Sequence, residues 1–241
     1  MSLHGIVLLG LVAGSGTCLG ALLIILRGRL QAGRFSFLLG LAAGIMTAVI
    51  AFDLVPSSLR YGSPVAALTG FCGGIGMMAV LDCLLNSLSP ATFAGKSYLK
   101  MGYLIAAGIA LHDFPEGMAI AAGFAAAEKL GPLLVFAIGL HNIPEGMAAA
   151  APLGYGGLGA WRILAINAAI SAVTPLGAFA GFLLTEKSRA LISPLLAFAA
   201  GTMTYIVIRE LAPESRRNSR LHAYTGMLAG IFFIIALDFI A

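Results

Sequence analysis

Charge is scarce in this sequence: Asp, Glu, Lys and Arg together make up 10% of its 241 residues. An ordinary soluble domain carries roughly 25%, so a water-facing surface of normal area is excluded. Cysteine is scarce as well. Cys18, Cys72 and Cys83 are scattered through apolar runs, without zinc-finger spacing or the makings of a disulfide framework, and are expected to be buried packing residues. No glycine-rich phosphate-binding loop occurs, which argues against nucleotide as drive or partner. Nothing suggests a nucleic-acid partner or a prosthetic group. The N-terminal Met-Ser-Leu-His-Gly lacks the basic region of a secretory signal, so the apolar run from Ile6 reads as a retained span.

Apolar residues fill that space. They make up 60% of the chain, the mean hydropathy is +0.99, and 31 glycines suit helices packed closely through small residues. Runs long enough to cross a bilayer fall at Ile6–Leu26, Phe35–Val55, Pro64–Leu85, Met101–Ala126, Pro132–Ala151, Ile163–Leu184, Leu191–Ala212 and Tyr224–Ala241. The expected fold is all-α: a polytopic membrane protein of eight spans with no soluble domain.

The basic residues orient it. Odd-numbered connections hold Arg27, Arg29, Arg34, Lys96, Lys100, Arg162, Arg216, Arg217 and Arg220; even-numbered ones hold only Arg60, Lys129, Lys187 and Arg189. The positive-inside rule then puts both termini outside the cytoplasm.

The chain also repeats itself. Residues 37–58 and 194–215 share 10 identities over 22 positions at a constant offset of 157, pairing Gly44 with Gly201, Thr47 with Thr204, Pro56 with Pro213, and Asp53 with Glu210. Span 3 matches span 8 through Thr69/Thr225, Gly70/Gly226, Gly74/Gly230 and Asp82/Asp238. Span 1 carries Thr17-Cys-Leu-Gly-Ala and span 6 carries Thr174-Pro-Leu-Gly-Ala. Matching spans lie five crossings apart, an odd number, so the halves are expected to be inverted. The organisation is three spans (1–90), a central pair (98–152) and three spans (158–241), as in carriers that expose a midplane site alternately to each side.

That central pair carries the chemistry. His-Asp-Phe-Pro-Glu-Gly at 112–117 and His-Asn-Ile-Pro-Glu-Gly at 141–146 both fall at mid-span. Positions i, i+1 and i+4 share one helical face, so His112, Asp113 and Glu116 cluster, as do His141, Asn142 and Glu145. Pro115 and Pro144 free the carbonyls of Leu111 and Leu140, and Gly117 and Gly146 permit close approach of another helix. An acid at bilayer depth costs roughly 2.5–3.5 kcal/mol. Three of them (Asp113, Glu116, Glu145) sum to about 8–10 kcal/mol, and a bound divalent cation is the simplest offset. Antiparallel packing of the two spans would assemble two imidazoles and two glutamates suited to Zn²⁺ and other first-row ions, with Asp113 and Asn142 as further oxygen ligands. The glutamates could also bridge two ions.

These two strings resemble the signatures of the ZIP (Zrt-, Irt-like protein) divalent-metal transporters, especially the prokaryotic zinc-uptake and GufA-type branch, and the resemblance covers essentially the whole chain. It implies import of Zn²⁺, often with Fe²⁺, Mn²⁺, Co²⁺ or Cd²⁺, across a bacterial inner membrane. It also implies a metal site formed by His112, Asp113, Glu116, His141, Asn142 and Glu145, and commonly a homodimer. This chain departs from the pattern at Asp113, where relatives usually have Asn, and at Thr174, where many of that branch have Glu. The exchange moves a negative charge and leaves one ion, or two with shifted ligands, as alternatives. The connection between spans 3 and 4 also lacks the histidines many relatives carry there.

Of the outer acids, Asp53 is expected to help capture cations at one face and Glu210 to help release them at the other, against a competing reading as solvated helix ends or partners of Arg60 or Arg209. Asp238 lies on the outer side and Asp82 on the cytoplasmic one, without assigned roles. His4 and His222 read as surface residues, Met118 and Met147 as packing. The alternatives to a carrier are an intramembrane zinc hydrolase, disfavoured by the absence of His-Glu-x-x-His, and a passive cation channel.

Overall fold

The computed structural model describes residues 2–27, 31–88 and 97–240. Arg29, Lys96 and Ala241 lie outside these, as does the side chain of Asp238. Among the described residues no strand occurs, and eight helices are long and apolar enough to cross a membrane. They are α1 (Leu3–Arg27), α2 (Ala32–Arg60), α3 (Pro64–Leu88), α4 (Ser97–Ala126), α5 (Leu130–Tyr155), α6 (Ala160–Lys187), α7 (Arg189–Asn218) and α8 (Arg220–Ile240). The first seven each contain one of the spans expected from the apolar runs, and α8 covers the described part of the eighth.

The centre of the bundle is α4 and α5, whose most apolar stretches are each 67% buried, against 17% for α3 and 22% for α8. Around that pair α1 packs on α5 and α6 on α4, while α8 packs on α2 and α3 on α7. Small residues set these distances. A Cβ on Gly117 would overlap the Thr174 carbonyl of α6, and one on Gly146 would overlap the Thr17 carbonyl of α1. The glycine closing each hexapeptide therefore lets a neighbouring backbone touch the helix one residue from the acid.

Helix irregularity falls at prolines, though not at the two in the hexapeptides. Helices α4 and α5 continue through Pro115 and Pro144. In α2 the stretch Val49–Leu54 widens into a π-helical turn just before Pro56, and in α7 Val207–Leu211 does the same before Pro213. A proline cannot donate to the carbonyl four residues back and crowds it, and a widened turn relieves that conflict. The two turns occupy equivalent positions of the repeated sequence, with Asp53 in one and Glu210 in the other. Helix α6 is interrupted at Ala172, ahead of Pro175.

The cysteines correct one expectation. Cys72 and Cys83 are exposed on α3 and Cys18 is partly buried, because α3 packs on α7 with one face and leaves the other uncovered.

Candidate metal centre

All six expected ligands lie inside the bundle: His112, Asp113, Glu116, His141, Asn142 and Glu145 are each at most 1% exposed. The two helices exchange partners. His112 Nε2 lies 3.2 Å from Glu145 Oε2, and His141 Nε2 lies 3.1 Å from Glu116 Oε1. The imidazole of each hexapeptide thus meets the carboxylate of the other. The pairs are not isolated, since Glu145 lies within electrostatic reach of both imidazoles.

The residue after each histidine breaks this symmetry. Asp113 Oδ1 stands 3.7 Å from His112 Nε2, and its Oδ2 accepts a long, 3.5 Å hydrogen bond from Thr174 Oγ1. Asn142 instead donates from Nδ2 to the Ala13 carbonyl on α1 at 3.3 Å. One ligand atom each from His112, Asp113 and Glu145 lie within 4.8 Å of one another, a spacing that could hold one ion. Every one of the six side chains also keeps a buried polar atom without a hydrogen-bond partner: His112 Nδ1, Asp113 Oδ1, Glu116 Oε2, His141 Nδ1, Asn142 Oδ1 and Glu145 Oε1. Buried polar atoms are ordinarily satisfied, and these six leave nitrogen and oxygen lone pairs that could serve a cation.

The centre opens toward one end of the bundle. A cavity of about 660 Å³ begins at His112 and Glu145 and passes Gly108, Ile105 and Glu210. Its lining extends to Asp82, Arg209 and Arg217, at the end where the odd-numbered connections lie. Tyr98 and Tyr155 flank its mouth, edge to face at 5.8 Å. Toward the opposite end the core is packed shut by Ala119, Ala122, Leu134, Ile138, Met46 and Met203, all 2% exposed or less.

The profile of the ZIP Zinc transporter family matches residues 91–238. A protein named zinc transporter ZupT from Corynebacterium glutamicum is 33% identical over 246 residues, covering 92% of this chain and 94% of its own. The zinc transporter GufA of Myxococcus xanthus is 32% identical over 243 residues, covering 95% of both. A ZupT from Chlorobium luteolum is 34% identical over 93% of both chains. The chain belongs to the ZIP family. It is therefore an integral membrane transporter and not an enzyme.

Placed on this ZIP chain, the remaining expectations divide. Glu210 lines the cavity, whereas Asp53 sits half-buried outside its lining. His4 and His222 are exposed, the latter joined to Ser219 Oγ at 2.8 Å. Met118 and Met147 are buried core residues rather than cavity wall. In the sequence Thr174 stood out as a departure and as the match of Thr17; its contact with Asp113 was visible in neither. Nothing in the sequence pointed to the Ala13 carbonyl, or to the Tyr205 hydroxyl that donates to Asp82 Oδ2 at 2.8 Å.

Proposed function

We propose that this protein carries zinc into the cytoplasm by alternating access, with the ion held between α4 and α5 by His112, Asp113, Glu116, His141, Asn142 and Glu145. The observation that carries this reading is the crossed His–Glu pairing at the head of a one-sided cavity. Mixed nitrogen and oxygen ligands without thiolate suit Zn²⁺ and also admit Fe²⁺, Mn²⁺, Co²⁺ and Cd²⁺. They exchange ions more readily than a cysteine cage, as a carrier requires. The relatives' names, which specify zinc, support that cargo.

Alternating access is supported by the pairing of helices. α1 on α5 corresponds to α6 on α4, and α2 on α8 to α7 on α3, as two inverted units of three spans flanking the central pair would arrange them. In such a protein the packed half and the open half exchange roles. The described state then faces the cytoplasm, since its cavity opens at the end rich in Arg and Lys. At about 30 Å³ per water, the cavity holds on the order of 20 waters, room for an ion to regain its hydration shell. In this scheme Glu210 meets the ion on its way out, and Asp53, its counterpart in the repeat, attracts ions at the opposite mouth. The protein works in the bacterial inner membrane, as a homodimer, with both termini outside.

The test is uptake by purified protein in liposomes, with Zn²⁺, Fe²⁺, Mn²⁺, Co²⁺ and Cd²⁺ compared at two pH values. Saturable, slow zinc entry supports the reading. Conductance at channel rates, or no flux of any of the five ions, refutes it.

A further inference from the structure

The cavity wall carries a fixed cation on the route of a mobile one. Arg209 and Glu210 are neighbours on α7, and both line the cavity together with Asp82 of α3. The Tyr205 hydroxyl donates to Asp82 Oδ2 at 2.8 Å, and Arg209, four residues further along α7, faces the same hydroxyl. Both carboxylate oxygens of Glu210 lie 3.8 Å from where a Cβ on Gly108 would stand, one helical turn from His112. Glu210 is also within electrostatic reach of His112, Glu145 and Asp82.

We propose that Arg209 controls release of the ion: it engages Asp82 through Tyr205, so that Asp82 and Glu210 do not act together as a second cation site below the metal centre. This rests on the transport reading above. Two carboxylates facing one aqueous cavity form a set of oxygen ligands that favours a divalent ion, and their mutual repulsion strengthens the demand for one. A second site there would retain the ion after it leaves the imidazoles. A guanidinium stays charged at every accessible pH, and the two carboxylates beside it would keep a lysine ammonium charged as well. Arg209 therefore offsets the charge of Asp82 permanently and repels a dication that lingers. Glu210, left to act singly, draws the ion from His112 and Glu145 without trapping it.

The experiment combines zinc titration of the purified full chain with liposome uptake. Arg209→Gln is expected to bind one more zinc ion than the unaltered protein and to turn over about tenfold more slowly, with KM on the entry side unchanged. Arg209→Lys behaves like the unaltered protein, and adding Asp82→Asn to Arg209→Gln restores both stoichiometry and rate. A bridge that merely ties α3 to α7 would change stability but add no ion. If Arg209→Gln fails to fold, Tyr205→Phe, which removes only the bridging hydroxyl, is expected to slow turnover about threefold. Unchanged stoichiometry and turnover in Arg209→Gln overturn this inference while leaving the transport reading intact; so does unchanged turnover in Tyr205→Phe. Absence of uptake by the unaltered protein overturns both.

Discussion

His112 and Glu145, 33 residues apart in the chain, meet at 3.2 Å with neither exposed beyond 1%. Their counterparts, His141 and Glu116, meet at 3.1 Å. Each hexapeptide therefore completes the other, and neither helix alone forms a four-ligand centre.

Loss of one member of a crossed pair should be as damaging as loss of both. His141→Ala or Glu145→Ala leaves a buried partner uncompensated and removes a ligand. Each is expected to lower zinc affinity by on the order of 100-fold, with the protein still reaching the membrane. Combining His112→Ala with Glu145→Ala should add little to either alone. Calorimetric zinc titration of the purified variants reads this, and fully additive losses would contradict it.

Thr174 touches Asp113 through a single long hydrogen bond. Thr174→Val is expected to weaken zinc binding roughly 3–10-fold, and Thr174→Ser to restore it. Equal affinity of all three proteins would show that the hydroxyl does not orient the carboxylate.

Gly117→Ala places a methyl against the Thr174 carbonyl, whereas Gly76→Ala on α3 meets nothing within 4 Å. The first should cost about 1–3 kcal/mol through overpacking, and the second should be neutral or slightly stabilising through helix propensity. Melting curves in detergent separate them. Similar melting temperatures for the two variants would contradict the close packing of α4 on α6.

These packing relations show where sequence reasoning succeeds and where it stops. Apolar length alone places eight spans, because a bilayer permits few alternatives to a helix of about 20 residues. The hexapeptides single out one cluster because three acids in apolar surroundings demand an explanation, and the structure buries those six side chains together. Which carboxylate faces which imidazole is a different matter: that depends on the rotation and offset of α4 against α5, set by Gly117 and Gly146 contacts with α6 and α1 that no local pattern encodes. Pro115 and Pro144 each free a carbonyl one turn back, yet the helices run through them. The π-helical turns lie at Pro56 and Pro213 instead. The sequence match between spans 2 and 7 displayed both prolines, but one-dimensional spacing does not say which proline a helix absorbs.

The cavity predicts an asymmetry of access. In a background with Cys18, Cys72 and Cys83 replaced, a cysteine at Ile105, on the cavity wall, should react with a hydrophilic thiol reagent applied to the basic end. One at Ala122, buried in the opposite half, should not. Labelling at Ile105 from the basic end should fall as the protein changes state. Equal labelling of the two positions from the basic end would contradict a one-sided opening.

The most direct test of the account is X-ray absorption at the zinc edge of the purified, zinc-loaded protein. A centre built from the crossed pairs gives nitrogen and oxygen neighbours at about 2.0–2.2 Å with imidazole scattering, and that scattering disappears when His112→Ala and His141→Ala are combined. Sulfur neighbours at about 2.3 Å, or a spectrum unchanged by removing both histidines, would place the ion elsewhere and end the proposal.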